Sequence, residues 1–171
     1  MEIQIAVAKI NRFNADESGD TIEIIERPNG GLSVVMCDGH FSGKEAKALS
    51  GSVVHKVIGL ISDGVRDGAA ARAASDFLYF ERNGQFPAYL NILSVDLQTN
   101  TIVITRNNPM PIFTAQGDQV ECISGSPHPI GISRNIRPMI TEISIQPNTT
   151  VVMYTDGVSK AGTNSGGLGI D

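Results

Sequence analysis

Apolar and polar side chains alternate in two segments near the beginning of the chain, residues 2 to 9 and residues 21 to 26. Alternation with a period of two predicts strands that bury one face. The valine-rich run at residues 32 to 37 is apolar except for Ser33, which is typical of a strand buried on both faces, and it stops abruptly at Asp38 and Gly39. The first part of the chain therefore predicts a small sheet that ends in an Asp-Gly pair.

A different period follows, from residue 43 to about residue 62. Apolar side chains recur there at intervals of three and four residues, at Ala46, Leu49, Val53, Val57, Leu60 and Ile61. This spacing predicts an amphipathic helix with one buried face. A second helix is predicted from residue 67 to residue 82.

Strand patterns return after the second helix. They cover residues 88 to 95, 101 to 105, 111 to 115, 140 to 145 and 150 to 154, and residues 124 to 138, with three prolines and two glycines, are predicted to be a loop. Many strands with two central helices indicate an α+β fold. We expect two packed antiparallel β-sheets flanked by helices, because sheets of this size must bury their apolar faces.

Length and charge narrow the possible functions. The 171 residues, of which 41% are hydrophobic, suit one domain spanning residues 1 to 171. The net charge of -5 and the lack of basic clusters argue against a nucleic acid partner, and no run of eighteen apolar residues indicates a membrane span. Cys37 and Cys122 have no disulfide or zinc spacing, so we expect a cytoplasmic protein. The oligomeric state is left open.

Three acidic residues stand out by their position. Asp38 and Asp156 each follow an apolar strand and precede a glycine, and Asp20 precedes the strand at residues 21 to 26. If these strands lie side by side, the three carboxylates converge and repel each other unless a cation compensates. Oxygen ligands of this kind favour Mg²⁺ or Mn²⁺, and two such ions about 3.5 to 4 Å apart suit phosphate ester hydrolysis. Each Asp-Gly pair taken alone is more simply interpreted as a turn.

Three motifs together resemble the PPM (PP2C-like) metal-dependent phosphatases, in particular the bacterial SpoIIE-like branch that dephosphorylates STAS-type anti-anti-sigma regulators. The motifs are Ser18-Gly19-Asp20, the segment VMCDGHFSGKEA at residues 35 to 46, and Tyr154-Thr155-Asp156-Gly157-Val158. Their order and approximate spacing are similar to those of the family over essentially the whole chain. The resemblance implies a PP2C-like α-β-β-α sandwich.

The resemblance also implies a role for each motif residue. Asp38 would bridge two Mn²⁺ or Mg²⁺ ions, Asp20 and the carbonyl of Gly39 would bind one of them, and Asp156 would bind the other. A water activated by the ions would attack the phosphate. His40 stands where eukaryotic relatives have a histidine thought to protonate the leaving oxygen, although a histidine beside a turn is more often a polar surface residue.

The end of the chain departs from the family pattern. Members of the family carry another aspartate on a final strand, as a further ligand of the metal held by Asp156. We expect this closing strand to be missing, so that the domain is truncated at its C-terminus and the Asp156 metal is weak or absent.

The leading hypothesis is a serine/threonine protein phosphatase of bacterial stress-response signalling, with a phosphorylated regulatory protein, such as one of STAS type, as its substrate. An alternative is a catalytically silent binding module that keeps the phosphatase fold within a regulatory complex. The third is an unrelated strand-rich protein whose Asp-Gly pairs are only turns.

Overall fold

The computed structural model describes residues 2–11, 17–40 and 43–162. The elements in chain order are β1 (Thr21–Glu26), β2 (Leu32–Gly39), α1 (Lys44–Ser62), α2 (Asp67–Arg82), β3 (Ala88–Asp96), β4 (Thr101–Asn107), β5 (Ile112–Gln116), β6 (Gln119–Ile123), β7 (Met139–Ser144), β8 (Thr150–Val152) and α3 (Asp156–Ser159). Their strands form a five-stranded sheet in the order β1-β2-β3-β4-β7 and a three-stranded sheet in the order β6-β5-β8. All strand pairs are antiparallel.

Two apolar cores hold these layers together. The first lies between the five-stranded sheet and the helices α1 and α2, where Val35, Val57 and Leu78 are fully buried. The second lies between the two sheets, where Ile104 of β4 packs in the same cluster as Ile112 of β5. Side chains alternate across the five-stranded sheet, so each of its faces supplies one core. The predicted α+β sandwich is confirmed, and both long helices lie on the five-stranded sheet.

Both helices and most strands form where the pattern predicts them, with three differences. Residues 2 to 11 form no strand, and most of them are exposed, so their alternation does not correspond to a buried face. The strand β6 was not predicted, and four of the five residues in its sequence, QVECI, are exposed. The strand expected at residues 150 to 154 ends at Val152.

The loop at residues 124 to 138 forms as expected, apart from one isolated bridge between Ile130 and Ala88. None of the helices in the described ranges combines the length and the apolar character that a membrane crossing requires.

Candidate active site

Asp38 lies near the end of β2, directly opposite Tyr89 of β3. Its neighbour Cys37 is fully buried in the helix-side core, and this burial raises the pKa of the Cys37 thiol far above its usual range. Because successive side chains of a strand point to opposite faces, the Asp38 carboxyl lies on the face turned away from the helices. Cys37 thus packs as a small apolar group of this core.

Asp20 immediately precedes β1. Thr21 pairs with Cys37, so the antiparallel register places Asp20 opposite Asp38. The backbone of Asp20 is held firmly, since its carbonyl oxygen accepts hydrogen bonds from Lys9 Nζ at 2.6 Å and from Lys47 Nζ at 3.0 Å. Neither lysine was expected to contribute from the sequence.

Gly39 is the last residue of β2 and lies against the first turn of α1. A Cβ atom at this position would come within 2.6 Å of the backbone carbonyl oxygen of Ala46. Only glycine allows this approach of helix and strand. The sequence predicts that the Gly39 carbonyl is open to a metal ion. In the structure the lack of a side chain at Gly39 also lets α1 pack against the end of β2.

Asp156 reaches the same region from the other sheet. The premise that its strand lies beside β2 is wrong, because β8 pairs with β5 in the three-stranded sheet. Asp156 begins the short helix α3, four residues after β8 ends. The preceding residue makes the connection, since Thr155 Oγ1 donates a hydrogen bond of 3.1 Å to Asp20 Oδ2.

Asp156 forms an ion pair with Lys160. Its Nζ lies 2.6 Å from Asp156 Oδ2, four residues further along α3, in an ion pair whose side chains are 70% and 39% exposed. This contact raises the pKa of Lys160, so the side chain is an ammonium ion at neutral pH. A lysine four residues after an aspartate is a known helical pattern for such a pair, so the sequence does contain a signal for this contact.

The Asp38 carboxyl is affected by its surroundings. Burial, and next the negative charges of Asp20 and Asp156, raise the pKa of Asp38 to about 7, while the charge of Lys160 lowers it. A hydrogen bond with the Asp20 side chain also raises this pKa, which means that the two carboxyls are close enough to share a proton. Carboxyl groups so close together need either a proton or a cation between them.

The donor set fits a hard divalent cation in part. Asp20 and Asp38 supply adjacent carboxylate oxygens, which suit Mg²⁺ or Mn²⁺. However, residues 2–11, 17–40 and 43–162 contain no group of three or more acidic, histidine or cysteine side chains already arranged around one point. The Asp20–Asp38 pair is therefore the better position for an ion, and Asp156 is paired with Lys160 instead.

His40 follows the end of β2 and is exposed. Its ring meets that of Tyr89 edge to face, with the centroids 6.4 Å apart. The imidazole is thus at the rim of the site, two residues from Asp38, and its role as an acid stays a prediction.

Comparisons with known proteins agree on the family. The family model described as Stage II sporulation protein E (SpoIIE) matches residues 28–170. The chain is 23% identical over 156 residues to Stage II sporulation protein E of Priestia megaterium, an alignment that covers 91% of this chain and 27% of that protein. The chain thus spans about a quarter of the length of this relative.

Two solved structures share the fold. One contains the PP2C phosphatase domain and a fragment of the regulatory domain of SpoIIE from Bacillus subtilis, with a TM-score of 0.73, 21% identity and coverage of 84% of this chain and 42% of that one. The other contains the RsbU and RsbW domains of Rv1364c from Mycobacterium tuberculosis, with a TM-score of 0.75, 17% identity and coverage of 88% and 43%. Since the family model matches most of its length, this chain belongs to the SpoIIE family and has the fold of a PP2C-type phosphatase domain.

Proposed function

We propose that this chain hydrolyses the phosphate ester of phosphoserine or phosphothreonine in a regulatory protein, and that the reaction depends on Mn²⁺ or Mg²⁺. The observation that carries the proposal is the pairing of Asp20 with Asp38 at the end of β2, together with the hydrogen bond from Thr155 to Asp20 Oδ2 that brings Asp156 to the same region. Burial of the Asp38 carboxyl, and next the negative charges of Asp20 and Asp156, raise its pKa to about 7. Residues that served only as turns would not need to lie close to each other.

The residues at the C-terminal end of β2 and immediately before β1 would hold the ion. Asp38 and Asp20 would bind it through their carboxylates, and the carbonyl of Gly39 would complete this side of the site. Asp156 is the candidate ligand of a second ion. Bound divalent ions would supply the polarisation of the phosphate and the activation of a water.

The remaining residues keep these ligands in place. The ammonium groups of Lys9 and Lys47 fix the Asp20 backbone, and Thr155 Oγ1 orients its carboxylate from the opposite sheet. His40 lies at the rim, where a phosphorylated side chain would enter, and we assign to it the donation of a proton to the leaving oxygen.

The proposed substrate is a phosphorylated STAS-type regulator in the cytoplasm, in stress-response signalling. Support comes from the similar structure that contains the RsbU and RsbW domains. The unpaired cysteines Cys37 and Cys122 agree with a reducing compartment.

The test is the release of phosphate from a phosphorylated STAS-type protein with Mn²⁺. We expect the Asp38→Asn variant to lose at least about a thousandfold in rate, because the lost ligand also supported the transition state. Asp118→Asn, in the exposed turn between β5 and β6, removes the same charge and should keep the wild-type rate. Activity that persists in excess chelator would exclude a metal-dependent mechanism.

A silent binding module is the second candidate, and the Lys160–Asp156 ion pair favours it, since a paired carboxylate is less available to a metal. In this case the chain would bind the phosphorylated regulator without cleaving it. Calorimetry would then detect that complex but no heat of Mn²⁺ binding at millimolar metal.

A further inference from the structure

Lys160 places its ammonium group against the Asp156 carboxylate, on the exposed side of the candidate site. Its Nζ contacts Asp156 Oδ2 at 2.6 Å, and its backbone N–H donates to the Asp156 carbonyl at 2.8 Å, so the turn of α3 itself brings the two side chains together. The Ser159 hydroxyl also donates to this carbonyl, at 3.0 Å. The ammonium is therefore directed towards the site by the local backbone.

The charge of Lys160 extends beyond its own ion pair. Thr155, the residue before its partner Asp156, donates a hydrogen bond of 3.1 Å to Asp20 Oδ2, so the ion pair lies beside the carboxylate of Asp20. The other two lysines of this region differ, because Lys9 and Lys47 contact the Asp20 backbone and not a carboxylate of the cluster. Of these three lysines, Lys160 is therefore the one whose ammonium contacts a candidate metal-binding carboxylate, that of Asp156.

A simple count of charge follows. Three ionised carboxylates, Asp20, Asp38 and Asp156, and the ammonium of Lys160 carry a formal charge of -2 together. One divalent cation neutralises this set, whereas two would leave it with a positive charge. An ammonium also repels a divalent ion placed on the carboxylate that it already contacts.

We propose that Lys160 serves as a resident cation at Asp156, so that the site binds one divalent ion tightly, at Asp20 and Asp38, and a second one only weakly. This inference rests on the proposed function, because it concerns the same metal site. From the sequence, a weak second ion is expected because a further aspartate ligand is missing. Here the weak binding of the second ion follows instead from Lys160, a residue that the chain contains.

The experiment is a titration of the metal-free chain with Mn²⁺, by calorimetry and by equilibrium dialysis that counts bound ions. We expect about one tight ion in the wild type. In Lys160→Gln the second ion should bind about tenfold more tightly or better, because the repulsion between an ammonium and a divalent ion a few ångströms apart exceeds one tenfold step even in water. Lys160→Glu should strengthen the second ion further by adding an oxygen ligand.

Lys56→Gln is the matched control. It removes the same charge from α1, where Lys56 lies over the ring of Phe77, and it should bind Mn²⁺ like the wild type. Thermal unfolding of each metal-free variant shows whether the exposed substitution has changed the fold.

The outcomes separate the two proposals. Two tight ions in the wild type, or equal binding of the second ion by wild type and Lys160→Gln, would overturn the role of Lys160 and leave the phosphatase proposal intact. Failure of every variant to bind Mn²⁺ would overturn both. A tighter second ion in Lys160→Gln, with Lys56→Gln unchanged, supports the resident cation.

Discussion

The two Asp-Gly pairs share a sequence but not an environment. Asp38 and Gly39 lie within β2, where the carboxyl is partly buried beside Asp20 and the glycine touches α1. Asp156 and Gly157 begin α3, where the carboxylate is paired with an exposed lysine. Asp38 and Gly39 are the last two residues of β2, whereas Asp156 and Gly157 lie beyond the end of β8.

The same dipeptide therefore has different chemical properties in the two places, because the groups around it differ. Burial and like charges raise the pKa of Asp38 to about 7, so its ionised form is disfavoured in the metal-free chain and a bound cation would stabilise it. The Asp156 carboxylate is already paired with Lys160, so its charge is compensated even when no metal is bound. We therefore expect the two positions to respond differently to the same substitution.

The largest effect is expected for metal affinity. Asp38→Asn should weaken Mn²⁺ binding at least about a hundredfold, since even residues behind the ligands contribute ten- to a hundredfold. Asp156→Asn should weaken the first ion less than about tenfold, because Lys160 already reduces its availability. Isothermal titration of both metal-free variants measures the contrast, and equal losses would contradict it.

The two glycines should differ next, in stability. In Gly39→Ala the new methyl group would meet the Ala46 carbonyl oxygen at 2.6 Å, and overpacking against backbone costs about 1–3 kcal/mol. The nearest atom to a Cβ at Gly157 is Thr155 Oγ1 at 3.8 Å, an ordinary contact, so Gly157→Ala should change stability by less than about 0.5 kcal/mol.

Urea unfolding in chelator measures these two variants without any contribution from metal binding. A Gly39→Ala protein as stable as the wild type would show that α1 can move away from β2 at little cost.

The fold was largely predictable because its core is strongly patterned. The helix predicted at residues 67 to 82 has the observed bounds, Asp67–Arg82, since its small apolar residues recur on one face. The strand pattern failed where burial did not accompany it, at residues 2 to 9 and in the exposed strand β6. Periodicity identifies a face, but it does not show whether another element covers that face.

The site was predictable in its residues but not in its assembly. The acidic positions were identified from strand ends, yet their meeting depends on two different sheets and on the hydrogen bond from Thr155 to Asp20, which joins residues 135 positions apart. The contributions of Lys47 and Lys160 were missed because their role depends on the direction of a single side chain. Such contacts follow from tertiary packing and leave no periodic signal.

The shifted pKa of Asp38 predicts a pH dependence of stability in the metal-free chain. The native carboxyl titrates at about 7, and the ordinary value is 3.8, so the folded state binds more protons between these two pH values. The free energy of unfolding should therefore decrease as the pH rises from about 4 to about 7, by at most about 1.4 kcal/mol per pH unit for one group.

Comparison with Asp38→Asn isolates this contribution from the other titrating groups, among which Asp20, Asp156 and Lys160 act on Asp38. The difference in stability between the two proteins should change across this range and stay constant above about pH 8. Saturating Mn²⁺ should remove the dependence in the wild type, because the bound ion replaces the proton. A difference that does not vary with pH would place Asp38 in an ordinary, solvated environment.

The smallest expected effect concerns the link between the two regions. Thr155→Val removes the hydroxyl that donates to Asp20 Oδ2 and keeps the shape of the side chain, so it should cost about 0.5–1.5 kcal/mol of stability in chelator. Thr155→Ser keeps the donor and should recover most of this loss. A double-mutant cycle of Thr155→Val with Asp20→Asn measures the coupling directly. Additive losses would mean that the beginning of α3 and the segment before β1 approach each other without an energetic connection, and that the Asp38 site forms independently of Asp156.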